Sequence, residues 1–438
     1  MAIETVQQWD GDPVETRGGG LLRAVHVVHS VAFGRETTLR DGRLTVSADQ
    51  ARAIASDPAL REVKLSWVSP GDPVRIVKVL DVVEPRAKGP GGGGIFPGLL
   101  GPPRPQGRGT THVLRGVAVL GAGILPRAQE AVIEMSGPGQ PLSPFGSTHN
   151  LVLEFAPAPG VDPLQLDGAV RGSLLRLAAH LGETALRETP DGVEHLPAVG
   201  QRRPGHPRVV IITNLQTQGK FKDVFVYGRT LAGALPTLIE PGELDDGAVV
   251  SGQYGHPALR NPTYVHQNHP LLAALASDSE LDLAAVMLCP EPVDQQGKEL
   301  IAEHSARICE LLEADGALIT KEGGGNADAD VALKLDTLAG RGIPAVGLLA
   351  EMPGPAGTGP SLVYAPTSAD GLVSLGSYDE RVSLPSCERA LGGNRLEVAD
   401  AEATAAMELP VAVHVAALSP LGAGRLTCAR EPAETAAG

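Results

Sequence analysis

The chain has 438 residues, 42% hydrophobic and 20% charged, enough apolar material for two or three cored domains and too much for disorder. Its net charge of −15 argues against a phosphate backbone or an anionic membrane surface as partner, since both want a basic face. No apolar run approaches the roughly 18 residues of a membrane span, and the polar start has no apolar core to export it, so a cytoplasmic location is expected. Four scattered cysteines (Cys289, Cys309, Cys387, Cys428) with no CxxC pair give neither a disulfide framework nor a cysteine-rich zinc knot.

Residues 1–20 read as a flexible leader. From 21 to about 83, short β-branched runs such as AVHVVHSVAF, VKLSWV and VRIVKVL alternate with turn residues, which predicts a strand-rich module extending to about 200. The glycine- and proline-rich stretch 88–110 reads as a loop, either a linker or an extended arm against a partner. Further on, HVLRGVAVLGAG and NLVLEFAP read as strands, and the segment from Asp162 to about 188 as a helix with an acidic start.

Beyond about 200 the pattern changes. PRVVIITNLQ, LDLAAVMLCP, GALITKEGGGN and IPAVGLLAEM are continuous apolar runs separated by helical segments, as in strands covered on both faces. The fold class expected is therefore α/β: a strand-rich N-terminal module over 21–200 and a doubly wound, mostly parallel-sheet domain of Rossmann or flavodoxin type over 201–428. Residues 429–438 read as a disordered tail.

Seven stretches carry a resemblance. They are DVVEPRAKGPGG with GGIFPG (81–98), RGTTHVLRGVAV (108–119), QEAVIEMSGPG (129–139), LQTQGKFKDVFVYG (215–228), LPTLIEPGELDDGAVVSG (235–252), NPTYVHQNHP (261–270) and DGALITKEGGGNADAD (315–330). In this order they resemble the proprotein of component B of the glycine, sarcosine and betaine reductases, to which the D-proline reductase proprotein is related. The resemblance implies a proprotein that cleaves itself before a cysteine, which becomes a pyruvoyl group that captures an amine as a Schiff base. It also implies a heteromeric complex with a gamma-subunit-like partner bearing selenocysteine. At the extreme C-terminus LSPLGAG (418–424) stands where the family has a GATNELG-like string.

The cleavage string departs from the family's. Where the family reads like SGNC, residues 251–254 are Ser-Gly-Gln-Tyr, and Tyr254 takes the cysteine's place. Self-cleavage needs a hydroxyl or thiol one carbon from Cα, able to attack the preceding carbonyl through a five-membered ring and then to leave by β-elimination. A phenol oxygen is too remote and no leaving group at Cβ. No pyruvoyl is therefore expected at 254, and Ser251 is the nearest side chain of the right kind.

Other groups must then carry any chemistry. Tyr254, His266 and Glu322 are the candidate catalytic residues. His256, His266 and His269 cluster in sequence, with an HxxH spacing that can present two imidazoles to a divalent transition metal such as Zn, Fe or Cu. Gln216 and Gln218, Asn326, Asp328 and Asp330, and Glu351 all follow apolar strands, where open α/β sheets place their ligands. Their carboxylates and amides suit a small amine or amino-acid-like substrate. The expected role is an unprocessed subunit in specialised metabolism; the alternative is a non-catalytic scaffold that keeps the fold and has lost the chemistry.

Overall fold

The computed structural model describes residues 20–124, 130–199, 202–217, 224–252 and 255–424. Two four-stranded sheets organise the first half. One runs β8 (Gly192–Leu196), β1 (Leu21–Val27), β5 (Gly109–Arg115), β4 (Arg86–Lys88); the other runs β2 (Leu60–Val68), β7 (His149–Pro157), β6 (Val117–Ala122), β3 (Val79–Val83). Strand β1 is parallel to β5 and antiparallel to β8, and β6 is parallel to β7, so both sheets are mixed.

Helix α1 (Pro163–Gly182) covers this half. Asp162 caps it by accepting the amides of Leu164 and Gln165, and Gln165 reaches back to complete a capping box. Leu166, Val170, Leu174, Leu177 and Leu181 recur at helical spacing and share a core with Val83, Val117, Val119, Leu151 and Leu153. The glycine- and proline-rich stretch is neither a linker nor a free arm. Phe96 is fully buried and donates its amide to the Asp246 carbonyl, while the Gly107 amide donates to Asp246 Oδ2 at 2.7 Å. At Gly98 the backbone passes so close to Tyr227 that a Cβ would sit 2.1 Å from its carbonyl oxygen. The stretch is docked on residues 227–247 of its own chain.

The second half is built on a six-stranded sheet in the order β10 (Thr237–Ile239), β11 (Asp282–Pro290), β9 (Arg208–Leu215), β12 (Gly316–Lys321), β13 (Ala345–Glu351), β14 (Gly371–Ser377). All neighbours are parallel except β10, which runs antiparallel at one edge. The two long crossover helices, α4 (Gln295–Leu311) and α5 (Asp328–Gly340), pack on one cluster with Val210, Ile212, Met287 and Ile319. The opposite face, with Ile211, Val286 and Leu288, is covered by the short α3 (Pro270–Ser277) and by irregular chain around Leu231, Leu244 and Val249. The class is mixed α/β as expected, but calling it doubly wound goes further than the sheet does, because both long helices share a face.

After β14 the chain returns to the first half. Arg389–Leu391 pairs in parallel with Val74–Ile76, and Leu391, Val415, Ala416 and Leu421 pack with Ile76, Val79 and Leu120. No helix among the described residues is long and apolar enough to cross a membrane.

Candidate active site

Four parallel strands deliver polar or charged side chains to their carboxyl ends. Gln216 and Thr217 follow β9, Glu291 follows β11, Lys321 ends β12 with Glu322 next, and Glu351 ends β13. The turn from β12 into α5 is tight: Gly323 and Gly325 have φ of +67° and +72°, a conformation that glycine adopts without cost. At Gly324 any Cβ would stand 2.1 Å from Met352 Sδ. The glycines of EGGGN therefore bend the chain sharply, so that Glu322 points inward while Asp328 and Asp330 enter the first turn of α5.

Glu322 is fully buried and well held. Its Oε1 accepts the Asn261 amide and the Asn261 Nδ2, each at 3.0 Å, and its Oε2 accepts the Gln216 amide at 3.2 Å. His266 Nε2 lies 3.5 Å from the same Oε1, and both side chains are about 1% exposed. His266 is carried by the short α2 (Thr263–Asn268), which elements of both halves fix in place. Asp81 of β3 accepts the Thr263 amide at 3.0 Å and its hydroxyl at 2.6 Å, and Asn268 donates to Glu84 at 3.0 Å. Burial pushes the Asp81 carboxyl up, with Arg260 and the Thr263 hydrogen bonds pulling the other way. The His266 Nε2 makes no hydrogen bond at this distance, so Glu322 and His266 are close neighbours in a buried setting.

The remaining candidates divide. His269 is buried, and its Nδ1 accepts the Leu272 amide at 3.1 Å, capping α3; burial and the neighbouring His266 push its pKa down to about 3. His256 adopts a left-handed backbone at φ +51° before a short 3-10 turn, with its ring 6.0 Å from that of Tyr378. Burial and then Lys321 lower its pKa. Among the described residues no group of three or more His, Cys, Asp or Glu side chains could hold a metal ion. Asn326 is exposed and donates to the Val293 carbonyl at 3.3 Å. Neither it nor Asp328 caps α5, whose cap residue is Ala327. Asp328 accepts the Val363 amide at 2.9 Å and pairs with Lys321 at 2.8 Å. Asp330 pairs with Lys298. Glu351 turns outward to Ser374 and Ser361. Gln218 and Tyr254 lie outside the described residues.

Ser251, the hydroxyl nearest the cleavage string, is fully buried: it donates its amide to Thr263 Oγ1 at 2.9 Å, gives its carbonyl to Arg171 at 2.7 Å, and accepts from Arg260 Nε at 3.3 Å. Several other buried groups escaped the sequence reading. Asp81, Asn261, Thr263, Lys298, Lys321 and Glu291 complete the polar interior. A signal did exist for some: Asp81 and Glu84 interrupt an apolar run, VLDVVEPR, where ionisable groups need partners.

The chain is thus a mixed α/β protein whose parallel strand ends bury Glu322 beside His266. The family of glycine/sarcosine/betaine reductase component B subunits matches residues 21–413, and the chain belongs to it. It is 35% identical over 381 residues to the glycine reductase complex component B subunits alpha and beta of Acetoanaerobium sticklandii, covering 85% of this chain and 89% of that protein. The sarcosine reductase complex component B subunit alpha of Peptoclostridium acidaminophilum is 33% identical over 373 residues, covering 83% and 87%. The D-proline reductase proprotein PrdA of Acetoanaerobium sticklandii is 25% identical over 382 residues, covering 79% of this chain and 57% of that protein. No solved structure matches.

Proposed function

We propose that this chain is a component-B-type subunit that works uncleaved, with a gamma-subunit-like partner, on a small amine or amino-acid-like substrate. A pyruvoyl group does not fit it. Tyr254 lacks the β-heteroatom that ring closure and elimination require, and the hydroxyl of nearby Ser251 is buried against Arg260. The observation that carries the reading is the His266–Glu322 pair, kept fully inside the protein and held at 3.5 Å by both halves of a chain that cannot make its family's electrophile.

Glu322, oriented by Asn261 and Gln216, stands beside His266, and the imidazole takes or gives a proton at a substrate nitrogen. The test is intact mass with carbonyl trapping. A single 45.2 kDa species that phenylhydrazine leaves unmodified is expected. Two shorter chains, one carrying a hydrazone at a new N-terminus, would overturn the reading. Within that frame, His266→Gln is expected to abolish turnover of the amine while leaving binding of the partner intact; loss of neither would leave only the scaffold role.

A further inference from the structure

Next to the His266–Glu322 pair lies a second cluster that the proposed chemistry does not use. Glu291 directly follows β11 and is fully buried. Its backbone is clamped across the strand ends, the Thr217 hydroxyl accepting its amide at 3.1 Å and donating to its carbonyl at 3.0 Å. The side chain is thus fixed in direction, yet neither carboxyl oxygen has a hydrogen-bond partner. The charges that face it are Asp330 and Glu322 on one side of the balance and Lys321 and Lys298 on the other.

Neither lysine hydrogen-bonds it. Lys321 is taken up by Asp328 and by the Gly323 carbonyl at 2.7 Å, and Lys298 by Asp330. Lys334, the other buried lysine of α5, donates to the Asp330 carbonyl at 3.3 Å. Asp330 Oδ1 is a further buried oxygen without a hydrogen bond. Leaving two desolvated carboxyl oxygens unpaired is costly, and four buried carboxylates (Glu291, Glu322, Asp328, Asp330) share three buried lysines, so the arrangement is one positive charge short. A proton is the smallest charge that fills the gap, and burial next to Asp330 does push the Glu291 carboxyl well above the usual carboxylate range. A divalent metal is a poor alternative, because the interleaved lysines repel it.

We propose that Glu291, with Asp330 beside it, is a cation-exchange subsite: closed around a proton when empty, it releases that proton to solvent and takes up the ammonium group of a primary amine. The exchange balances, one positive charge leaving as one enters. An ammonium brings three N–H donors to the unpaired Glu291 oxygens, where a single proton brings one O–H. The site lies at the strand ends beside Glu322, where an amine substrate would present its nitrogen, and so rests on the reading that the substrate is an amine.

Two measurements test it. Infrared spectra of the full chain alone are expected to show the carbonyl stretch of one protonated carboxyl group that Glu291→Gln removes; its absence sinks the proposal whatever the state of residue 254. Titration with methylammonium chloride in two buffers of different ionisation enthalpy is expected to release about one proton per amine bound, with loss of the same infrared band. Glycine should behave likewise, and tetramethylammonium, which has no N–H, should not. The wild-type band change needs no variant, so misfolding of the Gln form cannot obscure it. Binding without proton release, no binding, or equal release by potassium chloride would overturn the assignment.

Discussion

His269 stands between two short helices, and its ring nitrogens have distinct tasks. Nδ1 is the acceptor that caps α3, so the proton of the neutral ring sits on Nε2, in the buried interior. Removing the acceptor with His269→Ala is expected to cost about 1–2 kcal/mol in urea unfolding, while His269→Asn, whose side-chain oxygen can cap, recovers most of it. A chelator should shift neither midpoint; a chelator-dependent wild type would restore the metal role to this histidine. Acid gives a second signature. The folded pKa of about 3 lies below the unfolded value near 6.5, so the contribution of the neutral ring is complete above pH 6.5 and is lost as pH falls toward 3. The Asn variant should therefore lose less stability across that window than the wild type. None of this was legible from HxxH alone: the spacing names two imidazoles on one side of the chain, but a proline at 270 ends α2 and restarts a helix, and turns the second ring into a cap.

At the scale of elements, the stretch 88–110 shows how composition can be read correctly for local conformation and still miss the tertiary role. Glycines and prolines do forbid a regular element there, but the same glycines permit close backbone approaches. At Gly107, φ is +91° and a Cβ would fall 2.6 Å from the Glu243 amide nitrogen. Glycine is needed for both reasons. Phe96 fills the core against Gly247, where a Cβ would meet its ring at 2.4 Å. Gly107→Ala is expected to detach the stretch and expose it to limited proteolysis near Arg104 and Arg108, while wild type stays uncut there. Phe96→Ala, which leaves a cavity, should cost about 3–5 kcal/mol in global unfolding. Equal resistance of the Gly107→Ala form would show that the stretch is held by something other than this contact. The parallel strands themselves were legible, because strands buried on both faces read as unbroken apolar runs. Which face each helix covers was not, since crossover helices of similar amphipathic pattern fit either side.

The whole molecule is stitched across position 253–254, within the string Ser-Gly-Gln-Tyr. Strand β9 precedes that point, yet its neighbours β11 and β12 on either side both follow it. The parallel pairing of Val74–Ile76 with Arg389–Leu391 and the buried Asp81–Thr263 and Glu84–Asn268 contacts tie the pieces at other places. Long-range pairing of this kind has no local signature, which is why a boundary drawn near 200 from composition could not anticipate the return of residues 384–421 to the first half. A cut at 253–254 removes a central strand from its sheet only if the sheet unfolds, so chain scission and subunit separation are different events here. Inserting a site-specific protease sequence between Gln253 and Tyr254 and cleaving it should give two bands on a denaturing gel and one particle of unchanged size in native chromatography. The nicked protein should fall apart only at the denaturant concentration that unfolds it, and its stability should become concentration-dependent, because two chains must now find each other. Separation of the pieces in native buffer would mean that the continuity of the backbone, rather than the shared sheet, holds the halves together.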